Sequence, residues 1–143
     1  MSQCVFCDII AGRAPAHVVY GDEATLAFMD ILPIHEGHTL VVPKTHATDI
    51  LDIEPEQAAA VMRTALKVAH AVKAAHKCDG INLFQASGSA AGQSEFHFHV
   101  HVLPRWIGDG TIRLRREYTA SDEDLGRTAD KIRQAMASGS MFT

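Results

Sequence analysis

The 143-residue chain predicts an α+β fold: a five-stranded, mostly antiparallel sheet with one long helix and a C-terminal helix. Three observations carry this. Short apolar runs at residues 18–20, 24–29, 39–42, 81–85 and 97–103 are separated by Gly, Pro and Asp. One long stretch between the third and fourth runs repeats its apolar residues at helical spacing. Finally, His97-Phe98-His99-Val100-His101-Val102-Leu103 alternates imidazoles with apolar side chains. As a strand, it lines three histidines on one face and packs Phe98, Val100 and Val102 on the other. Strands in runs, interrupted by one helix, fit a single domain over residues 1–143.

The elements follow in order. Residues 4–11 form a short helical turn that Gly12 ends. Val18-Val19-Tyr20 and Ala24 to Met29 are two strands around the turn Gly21-Asp22. Pro33 to Gly37 is loop, and Thr39 to Val42 a buried strand closed by Pro43. Pro55 sits in the first turn of the long helix, where its missing N–H costs little. Ala58, Val61, Met62, Ala65, Ala69 and Val72 make its buried stripe, with Arg63, Lys67, His70 and Lys73 opposite. His70 and His76 are read as solvated, and Gly80 is placed to stop the helix. Ile81 to Gln85 is a strand, Ser87 to Gln93 a small-residue loop, and Pro104 ends the histidine strand. Residues 105–120 form a long polar connection that holds the only tryptophan, Trp106. Ser121 with Asp124 starts a last helix that buries Leu125, Ala129, Ile132 and Met136.

Composition narrows the function. The net charge is −4 and the pI about 6.1, which is no nucleic-acid footprint. The run Arg113, Arg115, Arg116 is answered by Glu117, Asp122, Glu123 and Asp124, as in a solvated edge or a salt-bridge patch. No apolar run approaches the roughly 20 residues of a membrane span. Met1-Ser2-Gln3-Cys4 has neither a basic nor an apolar leader segment, and three cysteines suit a reducing compartment. The expectation is a cytoplasmic protein.

Imidazole is nucleophile, base, acid or ligand at neutral pH. Three on one strand face stand about 6.5–7 Å apart, two strand rises. The preceding loop, Ser87-Gly88-Ser89-Ala90-Ala91-Gly92-Gln93-Ser94, lets backbone amides approach an anion closely, with Gln93 and Ser94 as side-chain donors. Cys4-x-x-Cys7 has the spacing of a zinc half-site, and Cys78, after the long helix, rules out a four-cysteine site. Reduced thiols packed in the core are the plain alternative.

Gly92-Gln93-Ser94-Glu95-Phe96-His97-Phe98-His99-Val100-His101-Val102-Leu103-Pro104-Arg105 resembles the signature of the histidine triad family. Asp30 and the stretch Gly37-His38-Thr39-Leu40-Val41-Val42-Pro43-Lys44-Thr45-His46 resemble its second block, and Cys4-Val5-Phe6-Cys7-Asp8-Ile9-Ile10 the start of its bacterial members. The resemblance implies a nucleotide hydrolase or transferase that works through a covalent nucleotidyl-histidine. It makes His99 the nucleophile at the α-phosphorus of nucleoside 5′-phosphoramidates or related adenylated compounds. His101 then donates to a phosphate oxygen, His38 supports from the neighbouring strand, and Ser94 and Gln93 hold the phosphate or leaving group. Asp30 takes the ribose hydroxyls, with a turn or capping role as its alternative. Phe6, Ile9, Phe28 and Ile31 take a purine base, or are ordinary core. The family further implies a homodimer whose sheet continues across two subunits, and structural Zn²⁺ on Cys4, Cys7, His46 and His97. One departure stands out: Ala86 occupies a position where the family commonly has an amide, and Ser87 or Ser89 is expected to compensate. Dinucleoside polyphosphate hydrolysis, a catalytic zinc on His97, His99 and His101, and a non-catalytic nucleotide sensor are the competing readings.

Overall fold

The computed structural model describes residues 3–111 and 118–138, so the Arg113, Arg115, Arg116 and Glu117 patch lies outside the described residues. The chain divides into two compact units, Met1–Asp109 and Gly110–Thr143. The first holds helix α1 (Val5–Ile10), strands β1 (Val18–Gly21), β2 (Thr25–Met29) and β3 (Thr39–Pro43), and helix α2 (Pro55–His76). Strands β4 (Gly80–Phe84) and β5 (Val100–Arg105) complete it, with a 3₁₀ turn, Ser89–Ala91, between them. The second unit contains α3 (Asp122–Ala137), capped by Ser121, whose side chain accepts from the Asp124 amide.

The five strands form one antiparallel sheet in the order β1-β2-β3-β5-β4. Its two faces follow from strand alternation. On one, Ala27, Val41, Val100 and Val102 pack with Phe98 against Val61, Ala65, Val68 and Val72 of α2. On the other, Phe28, Leu40 and Val42 pack against Phe6 of α1. The face opposite α2 also carries the histidines.

Several expectations need correction. The histidine strand starts at Val100, not His97. The register Val41↔Val100 would next require Pro43 opposite Phe98, but Pro43 has no N–H and its carbonyl accepts from the His97 ring. Phe98 instead donates its amide to Ala47 O. Nor does Pro104 end the strand. Beyond Val102 only β4 pairs with β5, so proline's missing donor is tolerated on the open side. In α2 the buried stripe is Val61, Thr64, Ala65, Val68 and Val72, and Met62 is exposed. Thr64 is accommodated inside because its hydroxyl bonds Thr25 Oγ1 at 2.7 Å. Lys77, in the left-handed conformation, ends α2, while Gly80 opens β4. In α3, Leu125, Ile132 and Met136 are exposed rather than buried. Gly37 fits expectation in a tight place. Its φ is +96°, and a β-carbon there would meet the His76 ring at 2.9 Å.

Candidate functional site

Among the described residues, two clusters of ligand-bearing side chains lie on the sheet face opposite α2, and the 97–101 segment feeds both. Cys4, Cys7, His46 and His97 form the first, Asp30, His38 and His101 the second.

The first cluster is built on the start of α1. Cys4 is its N-cap and accepts the Cys7 amide at 3.3 Å. His97 is fully buried, and its Nε2–H donates to Pro43 O at 2.9 Å. That leaves the Nδ1 lone pair, which faces Cys4 Sγ at 3.4 Å, Cys7 Sγ at 3.5 Å and His46 Nδ1 at 3.1 Å. His46 Nδ1 lies 3.3 Å from Cys7 Sγ. Tetrahedral zinc, with bonds of about 2.3 Å to sulfur and 2.0–2.1 Å to nitrogen, needs edges of about 3.3 Å between nitrogens, about 3.6 Å between nitrogen and sulfur and about 3.8 Å between sulfurs. The three nitrogen–sulfur separations and the one between nitrogens are close to these lengths, and all four ligand atoms lie within 4.8 Å of one another. Burial, followed by Cys4 as hydrogen-bond partner and neighbouring charge, raises Cys7 to about 11, so the bare thiolate is disfavoured without a cation.

The second cluster is ordered by donors and acceptors. The Ile34 amide donates to His38 Nδ1 at 3.1 Å, so a neutral His38 carries its proton on Nε2. That proton points to His101 Nδ1 at 2.9 Å, with Asp30 Oδ2 3.5 Å away. His101 Nδ1 is therefore the acceptor, and Nε2 carries the His101 proton. Phe84 stacks flat on the His101 ring, with centroids 4.1 Å apart and planes at 8°. Burial pushes His101 down to about 4, helped by the charges of His99 and His38. Burial lowers His38 too, against the pull of Asp30. Both rings stay neutral at physiological pH.

His99 lies between the clusters, buried, with Nδ1 2.7 Å from the His97 carbonyl. A carbonyl only accepts, so Nδ1 carries a proton, and in the neutral ring the lone pair is on Nε2. The Phe6 ring meets both His97 and His99 edge-on, at 5.9 and 5.3 Å between centroids.

His99 and His101 line a cleft of about 360 Å³. Its apolar lining includes Val5, Phe6, Ile9, Phe28 and Leu40, and its polar lining is Asp30, Ser94, Glu95, His99 and His101. Ile31 lines the cleft with its side chain exposed, and Phe6 and Phe28 serve core and cleft together. Asp30 also caps a turn, accepting from the Leu32 amide at 2.9 Å. Gln93 is buried and committed to the loop. Its Oε1 accepts from Gly88 N at 2.7 Å, and its Nε2 donates to the carbonyls of Thr48 and Glu95. Ser87 and Ser89 are not among the residues that line the cleft. Ser87 Oγ instead accepts from the Ile50 amide. Nor does the structure gather His97, His99 and His101 around one point, because His97 turns its lone pair toward the thiols.

Sequence reasoning passed over Phe84, the Ile34 amide and the Pro43 carbonyl. Only Phe84 left a signal, since pairing β4 with β5 sets it opposite His101.

A model of the HIT domain matches residues 11–106. The crystal structure of a HIT family member from Bacillus subtilis superposes with a TM-score of 0.87 at 38% identity, covering 93% of this chain and 96% of that one. A zinc-bound histidine triad family protein from Mycobacterium smegmatis superposes at 0.74, also at 38% identity, over 93% and 97% of the two chains. In sequence, the adenylylsulfatase HINT3 of Arabidopsis thaliana is 32% identical over 140 residues, covering 96% of this chain and 71% of that protein. With its triad, its sheet and these relatives in agreement, the chain belongs to the HIT, or histidine triad, family.

Proposed function

We propose that this protein is a nucleotide hydrolase that cleaves nucleoside 5′-phosphoramidates or related adenylated compounds through a nucleotidyl-His99 intermediate. The observation that carries the reading is the bond from His99 Nδ1 to the His97 carbonyl. It puts the lone pair of the neutral tautomer on Nε2 and sets a carbonyl dipole where the attacking ring becomes positive.

The purine base lies against Phe6, Ile9, Phe28 and Ile31, which line the cleft, and Asp30 accepts from the ribose hydroxyls. His99 Nε2 attacks the α-phosphorus while the P–N bond breaks. Ser94 holds the leaving group and passes it a proton from solvent, so nitrogen departs as the amine. His101 Nε2–H, held by the His38 and Ile34 chain, donates to a non-bridging phosphate oxygen. Gln93 keeps the loop in place. Water then attacks phosphorus, releasing the nucleoside 5′-monophosphate and restoring the free imidazole.

Zinc on Cys4, Cys7, His46 and His97 is structural in this reading: four protein ligands leave no open position, and the ion fixes the segment whose carbonyl orients His99. All the site residues fall in the first unit, although residues 1–143 are taken as one functional domain. The exposed edge strand β4, with Leu83 outward, is where a second copy would extend the sheet, and light scattering on the purified chain tests that dimer. Among the described residues, no helix is long and apolar enough to cross a membrane.

A single turnover with an adenosine 5′-phosphoramidate, quenched in base and examined by mass spectrometry, tests the chemistry. The expected result is an adenylyl adduct on the peptide that contains His99. Tight binding without adduct or product would make the protein a nucleotide sensor instead.

A further inference from the structure

The cleft has an unusual charge for a site that handles phosphates. Among the described residues its lining carries two carboxylates, Asp30 and Glu95, and neither Lys nor Arg. Its basic side chains are histidines. His101 is neutral at physiological pH, and so is its partner His38. Asp30 is engaged, with one oxygen on the Leu32 amide and the other facing His38. Glu95 is exposed at the wall that Ser94 also forms, its backbone pinned by the Gln93 amide. Once base, ribose and phosphorus are placed as above, this wall is what remains for the leaving group.

We infer that Glu95 selects substrates whose leaving group is cationic. This rests on the hydrolase reading and narrows it to one substrate class: nucleoside 5′-phosphoramidates whose leaving amine bears a further positive charge. A polyphosphate leaving group would bring several negative charges to a wall that offers a carboxylate and no basic side chain. The dinucleoside polyphosphate alternative is disfavoured on the same ground. A cation on the leaving amine finds the exposed Glu95 carboxylate at the cleft wall, an attraction that salt screens. The transferred groups are unchanged: the P–N bond breaks, and the amine leaves with its cationic substituent intact.

The test uses three adenosine 5′-phosphoramidates of equal chain length, ending in trimethylammonium, in the neutral tert-butyl isostere or in carboxylate. In wild type, kcat/KM should fall in that order, with the cationic substrate favoured over the anionic by about three- to tenfold at low salt. That ratio should shrink as salt is added. Glu95→Gln should bring the ratio close to one, and Glu95→Lys should reverse it. A ratio that Glu95→Gln leaves intact, while the neutral substrate is still turned over, overturns the role of Glu95 and spares the hydrolase reading. Wild type that turns over none of the three sinks both.

Discussion

Both clusters on the histidine face offer several ligand atoms within a few ångströms of one another, yet they are built for different work. In the Cys4, Cys7, His46 and His97 set, the fixed outer bond of His97 to Pro43 O turns its remaining lone pair inward, toward two sulfurs and a second nitrogen. In the Asp30, His38 and His101 set, the Ile34 amide takes up His38 Nδ1, so a proton occupies the nitrogen that a metal would need. One backbone donor or acceptor per histidine separates a set that could hold a metal from a proton chain. Ligand count and proximity do not.

The largest effect expected from this contrast concerns the ring between the two sets. His99→Ala should lower single-turnover phosphoramidate cleavage by about 10⁴-fold or more and abolish the adduct, because His101, the other imidazole lining the cleft, has its lone pair taken up by His38. His97→Ala makes the sharper partner. It removes a zinc ligand but keeps the carbonyl that orients His99, so zinc should be lost while adduct still forms. Adduct in His99→Ala would break the assignment.

Next comes the metal itself. Zinc should bind at one ion per chain, and two would mean that the second cluster also coordinates. At about a thousandfold excess over its dissociation constant, a native-state ligand contributes about 4 kcal/mol. For a domain of this size, removing it with chelator should lower Tm by about 10 °C. Calorimetry of the loaded and stripped protein checks this, and Cys4→Ser should resemble the stripped protein. A transition that chelator and Cys4→Ser both leave unmoved would remove the structural role.

The proton chain is worth less. His38→Ala should slow single turnover about a hundredfold, since His101 loses the donor that fixes its tautomer. His38→Gln can still present an amide N–H to His101 and should recover part of the rate. Equal rates in the two variants would show that His38 acts by bulk alone.

How far the sequence foreshadows these clusters depends on what each needs. Spacing is enough to find Cys4-x-x-Cys7 and to put Val100 and Val102 on one face and the histidines on the other, because alternation is built into a strand. Where the strand begins is not legible, since that turns on Pro43, 54 residues before His97, and on which carbonyl the His97 ring reaches. Thr64 escapes the helix pattern for a related reason. A hydroxyl reads as polar until Thr25 is known to meet it. Gln93 reads as a ligand-holding amide, but the fold spends its hydrogen bonds on Gly88, Thr48 and Glu95. Residue type is local, whereas the tautomer of a histidine is set by a partner that the fold supplies.

The smallest effect is the most direct test of the proton chain. His101 is pushed to about 4 by burial first and by the charges of His99 and His38 second, against an ordinary value of about 6.5. Between those values the unfolded chain binds a proton that the native ring refuses. His101 therefore contributes stability that is complete above about pH 6.5 and is lost as pH falls toward 4. Because the ring is partly solvated, the contribution comes to about 1–2 kcal/mol. Following the ring C–H resonances of His101 by NMR should place its midpoint near pH 4 in both the zinc-loaded and zinc-free protein. A midpoint near 6.5 would mean that His101 is protonated on both nitrogens as often as not under mild acid. It would then have no lone pair for His38, and the distinction between the two clusters would dissolve.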